Sequence, residues 1–220
     1  VPLLRSAMVV RGGLMPNRTR RGVIVHVGGN TWGCFDPDLL RWSAFWTALP
    51  DAAPISLDSM AAVSYPARSA KATQPPHLVG EIFMTSFEQP GVSRGRKAMA
   101  DPRTAKIVGK SDSVGPLPAP EWEFKGVTLS GRTPVIHYSV SGCKVDEILH
   151  AFAPSGSGEG SNPKSGSIGV KRLIRIAPST HDLVFRIGQN NGEGGGHAKN
   201  EKTMVIPASK QTRTVSLVYS

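Results

Sequence analysis

Short apolar runs broken by turn residues dominate the chain, and they predict strands. Residues 7–10 (AMVV) and 22–27 (GVIVHV) read as strands. Between them lie the Arg11-Gly12-Gly13 turn and a basic loop, Asn17-Arg18-Thr19-Arg20-Arg21. Gly28-Gly29-Asn30 is a hairpin-type turn, after which residues 31–35 return as the partner strand. The next stretch has two readings. Asp36-Pro37-Asp38 could cap a helix in which Leu39, Trp42, Trp46 and Leu49 share a face. Alternatively it is a turn, and Leu40, Trp42, Ala44 and Trp46 alternate along a strand; the aromatics favour the strand over 38–49.

Residues 78–87 predict one or two short strands. The C-terminal half is more regular. Residues 121–130, 135–140 and 143–149 form an antiparallel meander, turning at Gly131–Pro134 and at Ser141-Gly142. Residues 168–176 make a further strand, 183–187 pair back on it after a turn at 178–182, and 204–206 and 215–219 close the chain. The fold class that follows is all-β: mainly an antiparallel β-sandwich with long irregular loops and little helix, one domain over 1–220. Residues 50–77, 90–120, 153–167 and 189–200 read as mobile loops.

Composition explains those loops. With 24 Gly and 18 Pro in 220 residues, turn formers are well above the roughly 12% of an average chain. No apolar run approaches the roughly 20 residues of a spanning helix, and no heptad pattern persists. The net charge of +10 comes in blocks. Segments 1–35, 67–110 and 151–220 are basic, whereas 36–66 and 111–150 are acidic. Such a chain is attracted to anionic lipid, acidic proteins or nucleic acid. Arg18, Arg20, Arg21, Arg94, Arg96 and Lys97 are the candidate interface. Nucleic acid is disfavoured, because these clusters lie apart from the aromatics that would stack on bases.

No residue pattern carries catalysis, a cofactor or a metal. The six histidines are scattered, although His26 and His137 sit within strands and could share a sheet face. Gly192–Gly196 is Gly-rich but lacks the Lys-Ser/Thr of a phosphate loop. Asn17-Arg18-Thr19 is formally a glycosylation acceptor. Cys34 and Cys143 are either a disulfide joining the aromatic region to the meander or two buried thiols. Asp36 and Asp38 beside Trp32 and Trp42 could form a sugar-binding cleft; the plainer reading is a capped turn next to the main packing centre.

The run Gly29-Asn30-Thr31-Trp32-Gly33-Cys34-Phe35-Asp36-Pro37-Asp38-Leu39-Leu40-Arg41-Trp42-Ser43-Ala44-Phe45-Trp46-Thr47 resembles an uncharacterised domain of exported bacterial proteins. That domain commonly precedes quinoprotein-type propeller and c-type cytochrome modules. Asp101-Pro102-Arg103, Gly115-Pro116-Leu117-Pro118 and the meander from Phe124 to Val140 extend the resemblance over residues 10–150. The resemblance carries no activity to transfer. The chain opens on Val, as a mature exported protein without its leader would. With the charge, the resemblance implies a non-enzymatic, periplasmic, membrane-extrinsic subunit. It would dock on an integral-membrane or cytochrome-containing electron-transfer complex, for instance a photosynthetic reaction centre with its antenna, or on an anionic membrane surface. The alternative is a carbohydrate-binding or sugar-processing module built on Asp36, Asp38, Trp32 and Trp42.

Overall fold

A computed structural model describes residues 3–10, 17–55, 78–103, 106–108, 111–113, 115–152, 169–190 and 202–219. Of the expected loops, 153–167 lies outside the described residues, 50–77 is described only to 55, and 189–200 only at Gln189–Asn190, which is a short strand rather than loop; the Gly192–Gly196 run and most side chains before Arg21 are also outside.

The described residues are all-β, with several antiparallel sheets. One sheet contains β1 (Leu3–Val10), β2 (Asn17–Gly28), β3 (Thr31–Asp36), β4 (Arg41–Ala48), β5 (Gly80–Thr85) and β14 (Gln189–Asn190), in that order. A second has the order β16-β12-β11-β10-β9, built from β9 (Trp122–Ser130), β10 (Thr133–Val140), β11 (Cys143–Phe152), β12 (Gly169–Ile176) and β16 (Arg213–Tyr219). A small sheet, β15-β13-β6, joins β6 (Val92–Arg94), β13 (Leu183–Arg186) and β15 (Thr203–Ile206). A separate hairpin pairs β7 (Lys106–Val108) with β8 (Ser111–Ser113).

The two large sheets make a sandwich. Val23, Val25, Phe35, Trp42, Phe45 and Met84 face Ile136, Tyr138, Val145, Leu149 and Ile174 across one buried cluster. Phe35 packs on Tyr138 and Phe45 on Tyr219, with ring centroids 5.9 and 5.2 Å apart. Val92, Leu183, Phe185 and Ile206 of the small sheet join the same cluster. The other face of the first sheet is also covered. Ile24, Cys34, Ala44, Trp46 and Ala48 pack beneath Ile55 and Leu78 in a second cluster. Sheet faces buried on both sides explain the near-continuous burial of β4.

Several expectations hold. The region after Asp36 is a turn followed by a strand, not a helix. The meander and its Ser141-Gly142 turn are present, both turn residues having positive φ. Four expectations change. Residues 17–21 extend β2 rather than forming a loop. Residues 90–120 contain three short strands. Residues 183–187 do not pair back on β12. β12 takes β16 as its partner, while Leu183–Phe185, buried on both sides, sits between β6 and β15. Finally, Trp42 does not share a face with Ala44 and Trp46. Phe35 pairs with Trp42 and Cys34 with Ala44, so Ser43 bulges out of the ladder. The bulge turns Trp42 and Phe45 to the same side, 5.4 Å apart.

Candidate functional site

The turn over residues 37–40 is held by its own carboxylates. Asp36 accepts from the Asp38 backbone N–H at 3.0 Å, the local bond that favours Asp at such turns. The other Asp36 oxygen accepts from Arg41 Nε and Nη2 at 3.2 Å each. Arg41 Nη1 donates to the Phe87 carbonyl at 2.6 Å and the Ser86 carbonyl at 3.2 Å. Both members of the pair are about 2% exposed. Burial pushes the Asp36 carboxyl up and the Arg41 guanidinium down, each against the pull of its partner. Asp38 is also buried and pairs with the exposed Arg21.

The later motifs of the resemblance close on this turn. The Leu117 N–H donates to the Asp38 carbonyl at 2.9 Å, and the Gly91 N–H to the Leu39 carbonyl at 2.8 Å. Arg103 bonds back to Asp101 in a fork and reaches the Gly115 carbonyl at 2.8 Å. Asp36, Asp38, Arg41, Arg103 and Leu117 thus form one structural knot that fastens loops to the end of the sandwich. The sugar-cleft reading is corrected here. Trp42 and Trp46 are core residues, 3% and 0% exposed. Phe35 and Phe45 pack on Trp42, so it offers no face for a pyranose. Trp32 is half-buried and packs at a tilt against His26, ring centroids 4.6 Å apart.

Cys34 and Cys143 are free thiols, not a disulfide. They belong to different core clusters, Cys34 on the outer face of the first sheet and Cys143 between the sheets. Burial pushes the Cys34 thiol up to about 12. His26 and His137 lie in different sheets, so they share no face. Instead His137 links neighbouring strands, with Nε2 2.7 Å from Thr128 Oγ1 and Nδ1 2.7 Å from Asp146. No group of His, Cys, Asp and Glu among the described residues is arranged to hold a metal.

A second buried pair lies between the sheets. Glu147 is fully buried on β11, and Arg172, on the neighbouring β12, donates Nε and Nη2 to it at 2.6 and 2.8 Å. Trp42 Nε1 donates to the same carboxylate at 2.6 Å, and the Tyr138 hydroxyl also donates to it. Burial is the largest single effect and would lower Arg172; the Glu147 charge and hydrogen bonds, together with the nearby Tyr219 and Tyr138, outweigh it and hold the guanidinium above its ordinary value. Burial and then the Glu147 charge raise Tyr138. The sequence reading missed both residues, although a signal existed. Period-2 patterning places Glu147 inward between Val145 and Leu149, and Arg172 inward between Val170 and Ile174.

Arg172 also lines a small cleft where the three sheets meet. Arg41 and Ser86 of the first sheet's end, Tyr219 of β16, and Arg186 and Gly188 around β13 share its lining. Two glycines allow this close approach: a Cβ on Gly91 would fall 2.3 Å from the Leu40 carbonyl oxygen, and one on Gly188 would fall 2.1 Å from Met84 Sδ. Arg186 donates to the Pro90 and Met99 carbonyls at 2.9 and 2.6 Å. Burial pushes the Tyr219 hydroxyl up, and the neighbouring Arg172 guanidinium pulls the other way through its charge and a side-chain hydrogen bond.

The candidate interface residues are distributed unevenly. Arg94, Arg96 and Lys97 are exposed together, on the end of β6 and the bend after it. Arg96 pairs with Asp182 at 2.6 Å. Arg21 is exposed beside Asp38, at the knot. Arg18 and Arg20 lie on β2, and their side chains are outside the described residues. Among the described residues, no helix is long and apolar enough to cross a membrane.

The family described as Domain of unknown function (DUF6797) matches residues 33–147. That stretch is narrower than the 10–150 of the resemblance and runs from β3 to Glu147 in β11. No curated protein and no solved structure matches the chain. Because the match takes in the aromatic strand, the turn with its carboxylates and the meander, more than half of its residues, the chain belongs to the DUF6797 family.

Proposed function

We propose that this domain is a non-enzymatic docking subunit, periplasmic and peripheral to the membrane, that binds the acidic face of a membrane-bound electron-transfer assembly. The observation that carries the reading is a division of charge. The buried carboxylates Asp36, Asp38 and Glu147 are each committed to an arginine. The cations Arg94, Arg96 and Lys97 stand exposed at the edge of the small sheet, with Arg96 also held by Asp182. A basic edge of this kind steers a protein to an acidic partner and also resists edge-to-edge pairing.

Native purification from membranes followed by mass spectrometry tests the reading. The expected result is co-isolation with an integral-membrane complex, released by raising salt from about 0.1 to 0.5 M as screening predicts. Haem or chlorophyll absorbance in that fraction separates a cytochrome-containing host from a photosynthetic one. Recovery solely as a free monomer at low salt overturns the proposal.

A further inference from the structure

We infer that the outer edge of β16 is a docking site for an extended segment of a partner protein, with acidic residues on one face and apolar residues on the other. The site is on a different sheet from the cations at 94–97 and does not depend on their docking role. β16 closes the second sheet at one edge and β9 at the other, and the two edges are built differently. On β9, His137 pairs with Gly126 and Tyr138 with Phe124, so Lys125 bulges out, and it forms an ion pair with Glu123. A bulge and charges are the usual guards against strand addition. β16 carries no bulge, and its one charge, Arg213, stands at its first residue. Its seven residues pair with β12 in unbroken register, and among the described residues no strand takes its other side.

The chemistry of the edge selects the segment. On the inner face Val215 and Leu217 pack on the core yet are only half-buried. Apolar residues set beside them would extend the core and bury both. On the outer face Thr214, Ser216 and Val218 are exposed, Val218 at 58%. Opposite them on β12 stand Arg175, Leu173 and Lys171. Both cations are exposed, and no carboxylate among the described residues pairs with either. Arg175 lies across from Asp146, but that carboxylate is bonded to His137. An added strand would run about 10 Å from β12, two strand spacings, a gap that Lys or Arg and Glu side chains span together. The positions opposite Thr214 and Val218 are four residues apart, so the complementary segment reads acid–apolar–polar–apolar–acid. A second copy of β16 has no acidic residue to offer there, and the chain's +10 charge repels its own kind.

Titration of the full chain with the peptide acetyl-Thr-Glu-Val-Thr-Val-Glu-Thr-amide is the test. Saturable binding is expected at about 0.05 M salt and weaker binding at about 0.5 M, as screening requires. The backbone amide resonances of residues 214–218 should shift along the same saturation curve. Replacing both peptide Glu by Gln, or combining Lys171→Gln with Arg175→Gln, should lower the affinity about three- to tenfold. Lys125→Gln, on the opposite edge, should leave it unchanged. Peptides N-methylated at alternate amides separate strand addition from charge attraction alone. Successive N–H groups of a strand point to opposite sides, so one alternate set should abolish binding and the other should preserve it. Absence of binding, equal loss from both methylated peptides, shifts confined to other strands, or undiminished binding by the Lys171/Arg175 double variant overturns the inference. So does a concentration-dependent dimer in sedimentation whose contact amides are those of β16, which would make the occupant a second copy.

Discussion

The protein buries two carboxylate–guanidinium pairs, and they are opposites. Asp36 and Arg41 lie five residues apart across a turn, and longer bonds of 3.2 Å join them. Glu147 and Arg172 join two strands through bonds of 2.6 and 2.8 Å, and Trp42 and Tyr138 add two further donors. At the first pair burial dominates, raising the acid and lowering the base. At the second burial is again the largest single effect, but the Glu147 charge and hydrogen bonds with the two nearby tyrosines together outweigh it, and Arg172 rises. The two carboxylates also differ in how many donors surround them. A buried ion pair stabilises only when its remaining lone pairs are also satisfied. Glu147 meets that condition from three side chains; Asp36 relies on one arginine and one backbone N–H. The first pair therefore shapes a turn, and the second clamps the sandwich.

The largest effect is expected at the clamp. Glu147→Gln leaves Arg172 buried without a counter-charge and should cost about 3–5 kcal/mol in urea unfolding. Asp36→Asn keeps an acceptor for the Asp38 N–H, and Arg41 retains the Ser86 and Phe87 carbonyls. Its cost should be about 1–3 kcal/mol. A larger loss at Asp36 than at Glu147 would invert the comparison.

Gly91→Ala probes the join between the turn and the cleft. Its Cβ would press on the Leu40 carbonyl oxygen and on Arg41 Cβ, at 2.3 and 2.6 Å. Overpacking of this kind should cost about 1–3 kcal/mol, read as a lower urea midpoint at unchanged slope.

The smallest effect concerns acid. Burial would raise Asp101, but its hydrogen bonds to Arg103 outweigh that and hold the carboxyl below its ordinary value. A depressed folded value contributes stability that is present above the unfolded value, about 3.9, and is lost as pH falls through the folded one. Asp101→Asn should therefore be less stable than wild type at pH 7, with the gap closing below about pH 4. A gap that persists at pH 2 would show that the Arg103 contact is not ionic.

Much of this architecture was legible from local signals. Ser141-Gly142 marks a two-residue hairpin turn, and residues 135–140 and 143–149 alternate on either side of it. The Ser43 bulge was not legible, because it exists only in the pairing of β4 with β3, and it decides which face Trp42 takes. The partner of β12 was hidden for a related reason. Turn residues at 178–182 suggest a hairpin, but the edge of β12 is filled by β16 from the chain's far end. Of the candidate site, the carboxylate turn was visible as a motif, though aromatic neighbours made it look like a cleft. The Glu147–Arg172 clamp was visible only as two charged residues at inward positions of apolar strands. Tyr219 could not be linked to either from sequence spacing.

Under the proposed function, buried charge holds the fold and the exposed cations at 94–97 would bind the partner. Replacing Arg94, Arg96 and Lys97 together by Glu, and measuring both urea stability and retention on native membranes, tests it most directly. Stability should stay within about 0.5 kcal/mol per substitution, the usual range for surface changes, while retention at low salt is lost. Undiminished retention by the well-folded variant would contradict it.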